Sequence, residues 1–215
     1  MNPLRIAFDA RLPAARFGAL FHVLCLEQPD ARLEWRPRGF STRGRSRLAD
    51  ADVGLFVAPA PEHGLSVLTI ETSPMVVVMA VGHRLGRLPE LRVADILEEP
   101  FLGGANLHAE WLAFWTLDER RGGPPRLSDD QVENAEQGLE VVAAGRAIAT
   151  LPASLADGLA HPGVVAALLS DGPSVPTCLV WRSDEENAAV HALIELARAM
   201  SGTRRDNGKQ HASGY

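Results

Sequence analysis

Cysteine is scarce: the 215 residues hold two, Cys25 and Cys178, with neither a C-x-x-C spacing nor a histidine at metal-ligand spacing. This excludes a thiolate metal site, and the pair reads first as free buried thiols of a reducing compartment and second as a disulfide. Long apolar runs are missing too. None approaches the roughly 20 residues that cross a bilayer, and Met1–Ile6 lacks the charged start and apolar stretch of a secretory signal, so the expected location is cytoplasmic. Positive charge is short, the formal net charge being −6. Since nucleic-acid affinity draws on cations meeting phosphates, the chain is not expected to bind DNA by itself.

Catalytic signatures are equally wanting. Gly39-Phe40-Ser41-Thr42-Arg43-Gly44 has the wrong spacing for a G-x-S-x-G elbow, and there is no P-loop, G-x-G-x-x-G or H-E-x-x-H. His108-Ala109-Glu110 has the H-x-E form of zinc deaminases without the P-C-x-x-C that completes the site. No enzyme activity, cofactor or metal is therefore expected. Hydrophobic residues at 46% and charged residues at 22% suit an ordinary globular chain, and the length suffices for one large domain or two small lobes.

The most informative stretch is Asn134–Pro152. Ala135, Leu139, Val142 and Ala143 recur on one helical face, Gly145 follows where a helix stops, and Ala147–Leu151 reads as a buried apolar strand closed by Pro152. Asn134 is suited to cap the helix, with Glu133 and Glu136 near the positive end of its dipole. Elsewhere strands are expected at Leu4–Phe8, Leu33–Arg36, Val53–Ala58, Leu65–Ile70, Met75–Val81, Phe101-Leu102, Arg126–Ser128, Val164–Leu169 and Thr177–Arg182. Helices are expected over Leu12–Gln28, Ser41–Ala49, Val93–Glu98, around Leu107, Trp111, Phe114 and Trp115, over Ala153–Ala160, and on the stripe Val190, Leu193, Ile194 and Ala197. Trp111 and Trp115 read most simply as core, with a subunit interface as the second reading, and His83 and His108 as structural or exposed. Residues 201–215 read as an irregular polar tail. Alternation of strands and helices predicts a mostly parallel sheet with helices on both faces.

The order of these segments resembles the effector-binding domain of LysR-type transcriptional regulators. Its carriers are the opening strand and helix ending at Gln28-Pro29-Asp30, the Asp52–Phe56 strand (DVGLF), Val76–Leu85 (VVVMAVGHRL), and the Val-Ala-Ala-Gly turn before the Leu-Pro stop. The resemblance implies an α/β fold of two Rossmann-like lobes joined by two crossing hinge strands, the periplasmic-binding-protein-like type 2 fold. Lobe I would hold residues 1–78 and 177–201, and lobe II residues 79–176. Regulators of this family carry a winged helix-turn-helix before the domain, which this chain lacks, so DNA would be met only through such a part. A homodimer is implied as well.

Ligands of open α/β sheets bind beyond the carboxyl ends of strands. By alignment with the family pattern, the effector contacts would be Ala10, Arg11 and Leu12 after the first strand, Phe40, Ser41 and Thr42 after the second, and Ala58 after the third. The second lobe would add Ala105, Asn106 and Asn134. Arg11 stands where the family commonly has Ser or Thr; its guanidinium would pair with a carboxylate or phosphate, pair with Asp9 and fill the pocket, or be plainly solvated. Ser41, Thr42, Asn106 and Asn134 have the competing role of helix caps. Arg36, Arg38, Arg43, Arg45 and Arg47 form a basic run whose first reading is a solvated face and whose second is attraction of an anion. The expected function is sensing of a small, anionic metabolite; the alternative is a transporter's solute-binding protein, against which the lacking signal segment speaks.

Overall fold

The computed structural model describes residues 3–9, 14–38, 47–58, 62–103, 109–130, 132, 135–156 and 161–211. Its elements are β1 (Leu4–Asp9), α1 (Ala14–Glu27), β2 (Leu33–Arg38), β3 (Val53–Val57), β4 (Leu65–Ala80), β5 (Glu90–Leu91), α2 (Val93–Ile96), α3 (Ala109–Trp115), α4 (Ala135–Ala143), β6 (Ala149–Pro152), α5 (Ala153–Ala156), β7 (Val164–Leu169), β8 (Ser174–Arg182) and α6 (Ala188–His211). The chain divides into two compact units. Unit 1 holds residues 1–38, 42–72 and 176–215, and unit 2 holds 39–41 and 73–175.

In unit 1, β1 lies between β2 and β3, parallel to both, while β8 runs antiparallel along β3. Strand β4 lies beyond β8 in the sheet order. Residues of β3 are buried throughout, as the apolar run Val53-Gly54-Leu55-Phe56-Val57 requires of a central strand. The stripe Phe17, Leu20, Phe21 and Leu24 of α1 and the stripe Val190, Leu193, Ile194 and Ala197 of α6 are both buried, and the two helices pack together. Asn187 caps α6 by accepting the Ala189 N–H at 2.9 Å.

In unit 2, the second half of β4 is flanked antiparallel by β6 and β7, and β5 adds parallel to β7. Phe101 makes parallel bridges to Leu127 and to Ile148. Burial on both faces explains why Met75–Met79 is apolar without alternation. Gly145 ends α4 at φ 73°, with the Arg146 N–H reaching back to the Val141 carbonyl at 3.2 Å.

Several expectations need correction. Leu65–Ile70 and Met75–Val81 are one strand, not two. Pro74 and the polar Glu71-Thr72-Ser73 read as a break, but a proline costs a strand only one ladder bond and is accommodated where that donor is not required. The sheet is mixed rather than mostly parallel, since β8, β6 and β7 are all antiparallel to a neighbour. Trp111 and Trp115 are half-buried, no residue of α3 being fully buried, and their rings meet edge to face at 5.6 Å. Thr150 interrupts the run read as apolar; it is buried and donates its hydroxyl to the Trp115 carbonyl. Helix α6 continues to His211, into residues read as an irregular tail. Once a helix is nucleated by packing, each further residue needs only to add one bond, which good helix formers such as Arg204, Arg205, Lys209 and Gln210 do. The helix expected over Ser41–Ala49 falls mostly outside the described residues, with Arg47-Leu48 forming a 3₁₀ turn.

Candidate functional site

Strands β1, β2 and β3 are parallel and so present their carboxyl ends together, at Asp9, Arg38 and Val57. Asp9 is engaged at both oxygens. Oδ1 accepts from Arg47 Nη2, and Oδ2 accepts the Val57 N–H at 2.8 Å. The Arg47 guanidinium lies over the Phe56 ring, 3.8 Å from its centre. Its side chain is only 11% exposed, and its Nε is buried with no acceptor among the described residues. Desolvation lowers the Arg47 pKa to about 10. The loss of water around the cation is thus only partly made good by Asp9.

The backbone that carries Arg47 is pinned by two other arginines. Arg38 Nε donates to the Arg47 carbonyl at 2.8 Å and its Nη2 to Asp50. Arg182, at the end of β8, donates to the Leu48 and Ala51 carbonyls, each at 3.0 Å. Some desolvation would raise the Asp50 pKa, but the hydrogen bond and charge of Arg38, with Arg36 beyond, hold it below the ordinary carboxylate range. Arg38 and Arg47 are therefore not a solvated face, as their place in a basic run suggested: each is spent on a carboxylate and on backbone carbonyls within the unit. That reading fails because a run of arginines in sequence says nothing about which acids the fold brings beside them.

Ala58, at the end of β3, is in the left-handed region at φ 42°, with its N–H given to the Pro176 carbonyl at 2.7 Å. An alanine there costs about 1–2 kcal/mol, a strain that gathers at functional sites. Of the residues expected to touch an effector, Ala58 is the one described; Ala10, Arg11, Leu12, Phe40, Ser41, Thr42, Ala105, Asn106 and Asn134 lie outside the described residues. The same holds for His108, while His83 lies 3.4 Å from Glu99 and accepts the Leu85 N–H at 3.3 Å, a structural role.

Sequence reasoning met Arg47 only as one of a basic run, with attraction of an anion as its second reading, and missed Phe56 as a site former. The available signal was Asp9, a carboxylate directly after a buried strand, which demands a counter-charge that Arg11 alone was considered for.

In unit 2, Phe101, Leu127 and Ile148 run parallel, and the chain leaves their ends at Gly103 and Ser128. The two backbones approach closely, a Cβ on Gly103 falling 3.4 Å from the Ser128 carbonyl oxygen. The Ser128 hydroxyl is buried with no partner among the described residues. Nearby, Arg121 is nearly buried over the Phe101 ring and donates to the Leu97 and Thr116 carbonyls. Among the described residues no group of three or more metal-ligating side chains occurs, and no helix is long and apolar enough to cross a membrane.

A family model described as LysR substrate binding domain matches residues 2–201. None of the curated protein sequences matches the chain significantly. Among solved structures, the effector-binding domain of a BenM variant is similar, with a TM-score of 0.77, 18% identity, and coverage of 95% of this chain and 96% of that one. The BenM effector-binding domain with its effector benzoate gives 0.73, 18%, 94% and 93%. Full-length CbnR complexed with its target DNA gives 0.70, 18%, 93% and 71%. At such identities the likeness to these structures is one of fold.

Proposed function

Because the chain belongs to the LysR substrate-binding domain family, we propose that it is the effector-sensing and oligomerising part of a cytoplasmic transcriptional regulator, binding a small organic anion. The fold is the α/β, type 2 periplasmic-binding-protein-like one that the sequence led us to expect. The family match favours the regulator over a transporter's solute-binding protein. A cytoplasmic location and a homodimer are parts of the proposal, and DNA would be contacted through a winged helix-turn-helix that is not among these residues.

The observation that carries the reading is the polar end of the parallel strands in unit 1. Asp9, Arg38, Arg47 and the strained Ala58 meet where open α/β sheets take ligands. Nothing in that cluster is poised for catalysis: Asp9 is neutralised by Arg47 and saturated by a backbone N–H, so it serves poorly as a base. The domain is therefore read as a sensor rather than an enzyme. Arg47 already balances Asp9, so Arg11, Arg43 and Arg45 add positive charge to the stretches of sequence that follow β1 and β2, which favours an anion. Ala10, Arg11, Leu12, Phe40, Ser41, Thr42, Ala58, Ala105, Asn106 and Asn134 are the proposed contacts.

A ligand that binds only the folded state at a hundred times its Kd stabilises by about 2.7 kcal/mol, or roughly 5–10 °C for a chain of this size. A thermal-shift screen of aromatic and aliphatic metabolites, benzoate among them, should find such a shift. If no metabolite of any charge raises the melting temperature, the sensing role is refuted.

A further inference from the structure

We infer that Arg47 is the donor in unit 1 that receives a carboxylate of the effector, with Asp9 as the group that holds the guanidinium until the ligand arrives. This rests on the effector-sensing reading and names the chemistry of its site. Three features of the geometry carry it.

First, Arg47 stands at the shared carboxyl end of β1, β2 and β3, and one of its donors is idle. Nη2 is on Asp9 while Nε–H, buried, has no acceptor among the described residues. A buried donor without an acceptor is a standing cost that an arriving oxygen removes, and in a desolvated setting that oxygen is worth most when charged. Burial has already made the cation less comfortable than in water, as its lowered pKa records.

Second, the residue is pre-organised. Phe56 supports the face of the guanidinium, and Arg38 and Arg182 tie down the Arg47, Leu48 and Ala51 carbonyls on either side of the turn. Few rotamers remain to be lost when a ligand binds, which is how a site gains affinity without gaining contacts. The groove at the opposite end of these strands is lined by the acidic Glu27 and Asp30, with Leu4 and Asn187.

Third, Asp9 competes with a ligand for the same cation, which gives the inference a signature of opposite signs. Arg47→Lys keeps the charge but loses the planar fork, so carboxylate binding should weaken about ten- to a hundredfold. Asp9→Asn removes the competing carboxylate, so the same anion should bind several-fold more tightly. A residue needed only for folding would change stability without moving these affinities in opposite directions.

The experiment measures binding of benzoate, hexanoate and succinate, with benzamide as the uncharged control, to the wild-type chain, Arg47→Lys and Asp9→Asn by thermal shift and calorimetry. Expected is carboxylate binding in the wild type, about ten- to a hundredfold weaker in Arg47→Lys and several-fold tighter in Asp9→Asn, with benzamide unaffected. Equal carboxylate affinity in wild type and Arg47→Lys overturns the inference and leaves effector sensing standing. So does a wild type that shifts with neutral metabolites of the wider screen but with no carboxylate. Should Arg47→Lys not fold, the wild type decides: the Arg47 Nε–H resonance must move saturably on titration with acetate and stay still with acetamide, and a resonance indifferent to both refutes the assignment.

Discussion

Replacing Asp9 by alanine should destabilise the protein far more than removing an ordinary surface acid. Two groups lose their partner at once, the Arg47 cation and the Val57 N–H. Exposed ion pairs contribute about 0.2–1 kcal/mol, whereas stranding one member of a buried pair costs about 3–5 kcal/mol. The side chains here are 18% and 11% exposed, close to the buried limit, so about 3 kcal/mol is expected. Arg47→Met alone should cost about 2 kcal/mol, because Asp9 keeps the Val57 N–H. The double variant Asp9→Ala with Arg47→Met strands no charge, only the Val57 N–H, and should lose about 2–3 kcal/mol, well short of the additive sum of about 5. Urea is the denaturant of choice, since guanidinium would screen the pair. Midpoints compared at constant m, followed by far-UV circular dichroism, give the coupling energy. Coupling below about 0.5 kcal/mol would mean that Arg47 and Asp9 act as an exposed pair, and the case for a pre-organised cation at that strand end would fall with it.

Two smaller predictions concern the rest of the molecule. Gly145→Ala should cost about 1–2 kcal/mol in urea unfolding, all of it conformational: φ is 73°, yet the added Cβ would stand 3.9 Å from its nearest neighbour, the Ala80 Cβ. A neutral substitution would show that the turn relaxes. Iodoacetamide at pH 8 should alkylate the half-buried Cys25 of the native protein while sparing Cys178, as peptide mass spectrometry can follow. Burial raises the Cys178 pKa, only partly offset by the Thr69 hydroxyl at 3.5 Å, so its reactive thiolate is rare until unfolding. Equal labelling of both would contradict that burial.

The regular elements were largely legible because their patterns are one-dimensional. The stripe Phe17, Leu20, Phe21 and Leu24 can face only one way, and the apolar Val53–Val57 run suits only a covered strand. Gly145 announced a left-handed turn by being a glycine where a helix must stop. What stayed hidden depends on neighbours distant in sequence. Strand β4 looked like two because Pro74 is a local signal, whereas the continuity of a strand is decided by its neighbours in the sheet, which for β4 include β8, a segment a hundred residues later. Arg47 looked like one more surface cation because Asp9, 38 residues away, meets it only after β1, β2 and β3 are aligned. Trp111 and Trp115 looked like core because bulk predicts burial, and α3 keeps both rings half-covered, locked to each other.

The path of β4 also bears on how the polypeptide comes into being. The chain leaves unit 1 at residue 72, builds the whole of 73–175, and only then supplies β8 and α6, the partners of β3 and α1. A ribosome emitting this protein from its amino terminus therefore delivers everything unit 2 needs before unit 1 can close. Until then the inner faces of β3 and α1, with Leu55, Phe56, Leu20 and Leu24, await their cover. The half that holds the Asp9–Arg47 pair is thus born first and finished last.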